Sequence, residues 1–434
     1  MRKIVLIIFA LSLAFSLLLS ACGLAGDPPS FTPAEPADET PAIVVPEPTP
    51  EADDVVTLTM GSWRADDQAH MSAFLAEYKK VSPNVNILFE PTNPPEYNAV
   101  LRMQLESGIG PDLMYARPFA SGLELFESGF LADISGVPGL LDNFVETHRE
   151  PWTSPAGEIY AVPFITVSQV AFYNKDIFAQ NGVSVPDTWD EFIAVCQILS
   201  DNGVTPLANG IADEWDILET FFLGMVPSWV GGAEQRHRYE SGELKLNDEN
   251  WVAAYTAFSQ IIPFLPFDFE YVSYFDSQLL FSSGVAAMHF DGSWNIGVHE
   301  DAPFNWGVFA IPGPTAADTK ICIHVDAAIA VNPATRHRGE ALAFLKWLAS
   351  EDGQITAAKF LPTGFFPLGI FPATLENPQA NEAFALSTDR VTDVRFIWPH
   401  FIHLYTPMNK ALLDILIGNT TPDDAADFVA SFVQ

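Results

Sequence analysis

The chain has 434 residues, of which 48% are hydrophobic and 12% aromatic, and this length and composition predict a globular protein of about two domains. Its 20 basic and 55 acidic side chains give a formal net charge of −35, which repels nucleic acids and anionic membrane surfaces. We therefore exclude nucleic acids as partners.

The first 22 residues have the pattern of an export signal. Arg2 and Lys3 precede an apolar run from Ile4 to Leu19, and small residues come just before Cys22. The letters LSAC resemble the lipobox of bacterial lipoproteins, in which the cysteine becomes the lipidated first residue; the alternative is a plain signal peptide with a chance cysteine. We expect a lipid anchor on Cys22 and a location at the cell surface or in the periplasm, attached to a bacterial membrane.

Residues 23–54 are typical of a disordered tether. They contain eight prolines, eight acidic residues and no basic one, so they can bury too little apolar surface to become ordered. No later apolar stretch reaches the roughly 18 residues of a membrane span. Anchor and tether together would hold a domain off a membrane surface.

Two cysteines follow the tether. An exported protein could pair them, but Cys196 falls on the apolar face of a predicted helix and Cys322 lies in a strand-like run. We therefore expect two buried thiols rather than a disulfide. No cysteine spacing is typical of a zinc site.

The folded part begins with a strand, a helix and a second strand. Alternating apolar residues predict strands in 55–60 and 85–89, and one apolar helix face is predicted between them. This order indicates a βαβ unit and a parallel sheet. A further strand, PDLMYA, ends near residue 116. Ligands bind beyond the carboxyl ends of such strands, which points to the loops 62–67 and 116–119.

Four stretches have the i, i+3, i+4, i+7 spacing of a buried helix face. Thr188 and Glu191 predict a capping box in front of the second stretch. The predicted faces are Met71, Phe74, Leu75 and Tyr78; Phe192, Val195, Cys196 and Leu199; Ala341, Phe344, Leu345 and Leu348; and Ala425, Phe428, Val429 and Phe432.

Common enzyme motifs are missing from the sequence. It has no G-x-S-x-G elbow, no H-E-x-x-H, no Walker loop and no G-x-G-x-x-G after a strand. A carboxylate pair of the glycosidase kind stays open, because some of the 55 acidic residues must lie close together. His400 and His403 lack neighbouring ligands in the sequence, so we interpret them as surface or packing residues. We expect no catalytic residue, metal or cofactor.

Several aromatic residues stand at or beside predicted loops. A pyranose has an apolar C–H face that stacks on an aromatic ring, and hydroxyl groups that bind carboxylates, amides and guanidinium groups. A small-molecule site with aromatic walls is one interpretation, and ordinary core packing is the other. The residues are Trp63, Tyr115, Trp215, Trp229, Trp294, Phe365, Phe366 and Trp398.

Five sequence blocks occur in an order that resembles one protein family. The blocks are GIGPDLMYA (108–116), SGFLADISG (128–136), GEIYAVPF (157–164) with VAFYNKDIFAQNGVSVPDTWDEF (170–192), FSSGVAAMHFDGSW (281–294) and EALAFLKWLASEDGQ (340–354). They resemble the extracellular solute-binding proteins of ABC importers, specifically the sugar-binding family 1, which is related in pattern to maltose-binding protein. The resemblance runs from about residue 55 to the end.

This resemblance implies an α/β fold of the two-lobed, type II periplasmic-binding-protein class. Each lobe would be a mostly parallel sheet flanked by helices, with the ligand in the cleft between the lobes. The chain would cross between lobes near 164–167, near Phe309 and near Ser350. The implied lobes are residues 55–164 with 310–349, and residues 165–309 with 350–434.

The resemblance also implies ligand contacts. Trp294, after Asp-Gly-Ser, matches a position where the family stacks an aromatic ring on the sugar, with Asp291 as a further hydroxyl acceptor. The loop after PDLMY, with Tyr115 and Arg117, and the loop 63–67 match loops that bind hydroxyls, and loop position alone adds four more residues. The candidate ligand contacts are Trp63, Arg64, Asp66, Tyr115, Arg117, Trp215, Asp291, Trp294, Asp326, Phe365 and Trp398.

The implied function is substrate capture for an ABC importer. The lobes would close around a mono- or oligosaccharide and present it to the permease, with no bond made or broken. The chain departs from the family in being acidic and low in lysine, so a polyamine, a peptide or another solute stays open as the ligand. A secreted carbohydrate-active enzyme and a surface sensor also stay open.

Overall fold

The computed structural model describes most of the chain after the tether. Cys22 and residues 23–54 lie outside the described residues, so the predicted anchor and tether stay predictions. The described ranges, apart from the side chains of Asp66, Pro94 and Pro95, are 55–92, 94–213, 215–369, 371 and 374–433.

Ten strands lie in these ranges. They are β1 (Val56–Ser62), β2 (Val85–Pro91), β3 (Leu113–Ala116), β4 (Val162–Asn174), β5 (Thr205–Leu207), β6 (Ala286–Gly292), β7 (Trp306–Phe309), β8 (Ile321–Val331), β9 (Phe366–Pro367) and β10 (Thr392–Val394).

Sixteen α-helices lie in the same ranges, together with short 3₁₀ turns and one π-helical segment, Asp216–Phe222. The α-helices are α1 (Gln68–Val81), α2 (Pro94–Glu106), α3 (Ala120–Glu127), α4 (Glu146–Arg149), α5 (Lys175–Asn181), α6 (Trp189–Asp201), α7 (Leu223–Val230), α8 (Ala233–Glu240), α9 (Glu249–Ser259), α10 (Tyr274–Ser282), α11 (Ile296–His299), α12 (Arg338–Leu348), α13 (Glu351–Phe360), α14 (Pro378–Asp389), α15 (Tyr405–Leu416) and α16 (Pro422–Ala430). None of them has both the length and the apolar composition needed to cross a membrane.

The strands form two halves that meet at β4. In the first half β1 is parallel to β2 and β3, which confirms the predicted βαβ arrangement, and β8 lies antiparallel between β3 and β4. In the second half β5 and β6 are parallel, while β4 is antiparallel to β6 and β7. Each half is therefore a set of parallel strands with one long strand running against it.

Strand β4 continues through both halves. Its residues up to Ser168 pair with β8, and its residues from Gln169 onwards pair with β6 and β7. Almost all its side chains are buried, as expected for a strand that is covered on both faces. The change of partner directly follows the segment 164–167, where we predicted a crossing between lobes.

The chain returns to the first half after β7. Strand β7 ends at Phe309 and pairs with β4 in the second half, whereas the next strand, β8, pairs with β3 in the first. The return therefore lies between residues 309 and 321, next to the crossing that we predicted near Phe309.

Each half has its own core of buried apolar side chains. The first core contains the predicted faces of α1 and α12, and the second contains the predicted face of α6, so three of the four predicted faces are confirmed. Cys196 and Cys322 are buried, unpaired thiols, as predicted. A smaller third cluster lies beside β4, around Phe172 and Phe384.

Helix α13 extends the first core beyond the predicted lobe boundary at residue 349. Ala357 and Leu361 are buried in this core, because α13 packs against α1 and α12. Strand β9 follows α13 and pairs with β4 at Ile165 and Thr166, within the predicted crossing segment. The chain therefore enters the second half after β9. The first core therefore includes residues of α13 and of the segment after it, among them Leu368, that we predicted for the other lobe.

Two predictions about the helices are wrong in detail. Phe428 and Phe432 are 36% and 46% exposed, because α16 turns Ala425, Ala426 and Val429 towards the core and ends before residue 432. Thr188 caps α6 as predicted, by accepting from Glu191 N at 3.3 Å, but the Glu191 carboxylate accepts from Asp187 N instead of completing the capping box.

Candidate functional site

A groove of about 530 Å³ lies between residues that follow β1 and residues that follow β6. Half-buried rings and polar side chains share its surface, which is the general form of a small-molecule site. The lining residues are Arg64, Asp67, His70, Trp215, Tyr274, Gln278, Trp294, Asn295, Val298, Pro362 and Phe365.

Trp294 is the ring that follows the buried strand β6. The strand stays buried through Gly292, and the chain then makes one 3₁₀ turn over Ser293–Asn295. A Cβ atom on Gly292 would overlap the Trp294 ring, so glycine lets the ring lie against the backbone. The ring is half-buried, and its Nε1 donates to the Tyr274 hydroxyl at 2.8 Å.

Ser293 fixes this turn to the crossing strand. Its hydroxyl donates to the Gly364 carbonyl oxygen at 2.5 Å and accepts from the backbone N–H of Ser168 at 3.1 Å. Ser168 is the residue at which β4 changes partner. The turn that carries Trp294 is therefore held at the junction of the two halves.

Trp215 and Phe365 are the other aromatic walls of the groove. The Trp215 ring lies 4.3 Å from the Tyr274 ring, between centroids. Phe365 lies beneath the guanidinium group of Arg64, 4.2 Å from its carbon to the ring centroid, a cation–π distance. Two residues from the second half and one from the connection between halves thus supply ring surface to the groove.

Arg64 is the charged edge of the groove. It forms ion pairs with Asp67 and, at 2.8 Å, with Asp326. Burial alone would lower the pKa of Arg64, but the two carboxylates raise it above its usual value, so the group stays charged. Asp326 lies within strand β8 rather than in the loop that we predicted.

Trp63 and Tyr115 lie beneath the site rather than on its surface. Trp63 is 5% exposed and Tyr115 is fully buried, with their rings in an edge-on contact at 5.6 Å between centroids. The Tyr115 hydroxyl contacts Met71 Sδ at 3.2 Å. Arg117 covers Trp63, with its guanidinium carbon 4.2 Å from the ring centroid, so Arg117 is the member of this group that faces solvent.

A side pocket of about 210 Å³ adjoins the groove. Arg117, Asp326 and Trp398 line it together with Arg395, which is ion-paired with Glu219. The Arg64–Asp326 ion pair links the two cavities, because Arg64 lines the groove and Asp326 lines the side pocket. The predicted contacts that line a cavity are therefore divided between the groove, with Arg64, Trp215, Trp294 and Phe365, and the side pocket, with Arg117, Asp326 and Trp398.

Asp291 does not line either cavity. It is fully buried, accepts from the backbone N–H of Gly292 at 2.6 Å and is hydrogen-bonded to Asn295 Nδ2. The reason is local: β6 continues through Asp291, and this residue points inward where we had expected an exposed turn. The Asp66 side chain lies outside the described part of the chain, so its predicted role stays a prediction.

Several residues that line the groove were not predicted as ligand contacts. Tyr274 and Gln278 lie on one face of α10, four residues apart, and Asn295 follows Trp294. A capping box formed by Ser273 and Asp276 starts α10, and this S-x-x-D signal could have placed Tyr274 in a first helical turn. Asp67 ends the loop 63–67 that we predicted, although it was not among the predicted contacts, and it forms an ion pair with Arg64.

One group of described residues has the composition of a metal site. Glu150, His237 and Glu240 bring their ligand atoms within 4.8 Å of one another. The guanidinium group of Arg236 already pairs with Glu150 at 2.7 Å and with Glu240 at 2.8 Å. An arginine therefore supplies the positive charge that a cation would supply there.

Comparisons with known proteins identify the family of the chain. The family model described as bacterial extracellular solute-binding protein matches residues 61–355. The chain is 23% identical over 307 residues to the multiple sugar-binding protein of Streptococcus mutans, a match that covers 69% of this chain and 72% of that protein. It is 27% identical over 247 residues to the maltotriose-binding protein of Pyrococcus abyssi, covering 56% of this chain and 50% of that protein.

A solved structure shows the same fold. The family 1 extracellular solute-binding protein of Bifidobacterium longum subsp. infantis superposes with a TM-score of 0.72 at 21% sequence identity, covering 87% of this chain and 98% of that one. The fold class that the sequence predicted is therefore confirmed.

Proposed function

We propose that the chain binds a mono- or oligosaccharide in the groove lined by Trp215, Trp294 and Phe365. It would do so as the substrate-capturing component of an ABC importer. The premise is that the chain belongs to the bacterial extracellular solute-binding protein family. Two relatives support a sugar as the ligand, since one is named a multiple sugar-binding protein and the other a maltotriose-binding protein.

The observation that carries the proposal is the composition of the groove. The groove has ring surface from Trp215, Trp294 and Phe365. It is also lined by a charged hydrogen-bond donor, Arg64, and a carboxylate acceptor, Asp67. A pyranose has one apolar C–H face and a rim of hydroxyl groups, so it matches such a surface. Stacking of this kind contributes on the order of 0.5 to 1.5 kcal/mol per ring beyond area burial.

Capture would work by closure of two lobes. The first half contributes Arg64 and Asp67 to the groove, and the second contributes Trp215 and Trp294. A ligand that contacts both sets binds best when the lobes are closed, so binding shifts the population towards the closed state. No step of this process makes or breaks a covalent bond.

Delivery would require two further elements. We propose that Cys22 carries the lipid that attaches the protein to its membrane, with residues 23–54 as the tether, and that the transmembrane subunits of a permease receive the ligand. The pattern of the first 22 residues supports the anchor. Mass spectrometry of the protein from a bacterial membrane would test it, because a mature chain without an acyl group on Cys22 would contradict the proposal.

A thermal-shift screen tests the ligand class. The purified protein is heated with a panel of mono- and oligosaccharides and, in parallel, with amino acids, peptides and polyamines. A ligand that binds only the folded protein raises its melting temperature. We expect a sugar to do so without being cleaved; stabilisation by a polyamine or a peptide, with no effect of any sugar, would refute the sugar assignment.

A further inference from the structure

The side pocket is lined by residues of both halves. Arg117 and Phe119 come from the first half, whereas Arg395 and Trp398 lie beside residues of the second core. Two guanidinium groups therefore line one cavity of about 210 Å³. The chain has 20 basic side chains against 55 acidic ones, so the negative partner of each arginine has to be identified.

Arg117 is the arginine without a carboxylate partner. Its Nε donates to Asn98 Oδ1 at 3.1 Å, and the face of its guanidinium group covers the Trp63 ring. Within the described part of the chain, no carboxylate pairs with Arg117 and its two terminal amino groups have no acceptor. The N–H groups of a guanidinium lie in its plane, so a ring contact through its face leaves them free to bind a ligand.

Arg395 and Trp398 carry buried donors without an acceptor. Arg395 is 3% exposed and is ion-paired with Glu219 through Nη1, but its Nε has no acceptor among the described residues. The same is true of Trp398 Nε1. Buried N–H groups are costly when they stay unpaired, so acceptor oxygens of a ligand would remove this cost. Both side chains lie on the opposite half from Arg117, so opening of the lobes would give a ligand access to them.

The start of α3 adds backbone donors to the same pocket. Phe119, Ala120 and Ser121 line the pocket, and no side chain caps the helix. The first N–H groups of a helix have no acceptor within the helix and favour a negative charge. Phe119 has a φ of 56°, which a bulky residue rarely adopts. The helix start and the two arginines therefore line one cavity.

Asp326 is the carboxylate that lines this pocket in the described part of the chain. It would repel an anion if its own charge were unpaired. Arg64 pairs with it at 2.8 Å from the side of the groove, so its charge is already balanced. Glu219 balances Arg395 in the same way. Arg117 is thus the cation of the pocket whose charge is left for a ligand.

The pocket lies within reach of a sugar in the groove. The guanidinium carbon of Arg395 is 5.8 Å from the centroid of the Trp294 ring, and Trp294 lines the groove. A pyranose stacked on Trp294 would therefore bring an acidic substituent close to Arg395. A carboxylate, a sulfate or a phosphate presents two oxygens that match the paired N–H groups of a guanidinium.

We propose that the ligand is an anionic sugar, whose ring occupies the groove and whose acidic group occupies the side pocket. This inference rests on the proposed function and narrows its substrate class. Arg117 binds the acidic group from the first half, and the N–H groups of Arg395 and Trp398 bind it from the second. An anion held from both sides favours the closed state. Charge-assisted hydrogen bonds should make an acidic sugar bind about tenfold to hundredfold tighter than its neutral counterpart.

The first test compares matched pairs of sugars by isothermal titration. The pairs are glucuronate and glucose, galacturonate and galactose, trigalacturonate and galactotriose, and each hexose with its 6-phosphate. We expect the acidic member of at least one pair to bind tighter; whether a uronate or a phosphate wins identifies the acidic group. Binding confined to neutral sugars, or equal affinity within the pairs, would overturn the inference and leave sugar binding intact. A protein that binds no sugar at all would refute the proposed function as well.

A charge variant identifies the cation. Arg117→Gln should lower the ratio of acidic to neutral affinity by about tenfold, and Arg117→Lys, which keeps the charge, should retain part of the preference. The ratio cancels any loss of stability, because such a loss lowers both affinities. Arg102→Gln is the matched control, since Arg102 pairs with Glu106 and Glu124 on the surface of the first half. An unchanged ratio in Arg117→Gln would overturn the proposal.

The indole resonances locate the acidic group directly. The protein is labelled with ¹⁵N at its tryptophan indoles, and the Trp398 resonance is identified by its absence in Trp398→Phe. We expect the bound acidic sugar to shift the Trp294 and Trp398 resonances and its neutral counterpart to shift Trp294 alone. Trp152 is the internal control, because its Nε1 donates to the Ala116 carbonyl oxygen at 3.1 Å within the first core. An acidic sugar that shifts Trp294 and leaves Trp398 unchanged would place its charge elsewhere and overturn the proposal.

Discussion

Two pairs of aromatic residues, one in each half of the molecule, differ in how far they are exposed. Trp63 and Tyr115 of the first half are 5% and 0% exposed and form a base beneath Arg117. Trp215 and Trp294 of the second half are half-buried and line the groove. The first half therefore presents charged groups to the site, and the second half presents rings.

This division has a consequence for the ligand. Arg64, Asp67 and Asp326 form a charged edge on one side, and the tryptophans form an apolar face on the other. A molecule that uses both needs an apolar face and polar groups around it, which a pyranose has. A purely charged solute, such as a polyamine, would use only the first half.

The largest effect is expected from Trp63→Ala, on stability. Removing a buried tryptophan costs about 3 to 5 kcal/mol of unfolding free energy, because a cavity remains between Tyr97 and Tyr115. Denaturant unfolding measures this loss. A variant as stable as the wild type, with weaker sugar binding, would show that Trp63 is a ligand contact and would erase the contrast between the two halves.

Trp294→Ala should have the reverse effect. We expect a loss of affinity of about tenfold to thirtyfold, from lost stacking and contact area, with a change in stability of about 1 kcal/mol or less. Trp294→Phe is the matched control, because it keeps a ring at the same position and should retain most of the affinity. Isothermal titration and denaturant unfolding together separate the two effects; a collapse of stability with unchanged affinity would assign Trp294 to the core.

Arg64→Gln should lower affinity by about fivefold to tenfold, because a charge-assisted hydrogen bond to a ligand hydroxyl is lost. Arg102→Gln is the matched control, since Arg102 forms its ion pairs with Glu106 and Glu124 on the surface of the first half. Both affinities are measured by titration with the same sugar. Equal affinity in the two variants would remove Arg64 from the site.

Tyr115→Phe should have the smallest effect. Among the described residues its hydroxyl is hydrogen-bonded to a thioether sulfur alone, at 3.2 Å, so removal should change stability by about 0.5 kcal/mol or less and leave affinity unchanged. A clear loss of affinity would mean that Tyr115 becomes accessible when the ligand binds.

The sequence predicted much of this fold because its signals are local. The faces of α1, α6 and α12 follow from 3.6-residue spacing, and the parallel strands from the βαβ order. The position of Trp294 after a buried strand was also predictable, because the residues MHF are apolar and Gly-Ser follows them, although β6 continues through Gly292. The family to which the chain belongs was predicted from the order of its sequence blocks.

Side-chain direction was not predictable. Trp63 and Trp294 both follow strands, and only their neighbours decide that the first is buried between Tyr97 and Tyr115 while the second lies on the backbone of Gly292. Asp291 was expected at the groove, yet β6 continues through Gly292 and the Asp291 carboxyl group is buried. Such outcomes depend on contacts between segments that are distant in sequence.

The most direct test is the structure of the protein bound to the sugar that stabilises it most. We predict that a pyranose ring stacks on Trp294 or Trp215 and that at least one of its hydroxyl groups lies within hydrogen-bond distance of Arg64 or Asp67. A ligand found in the side pocket beside Trp398, with the Trp294 ring uncovered, would contradict the account.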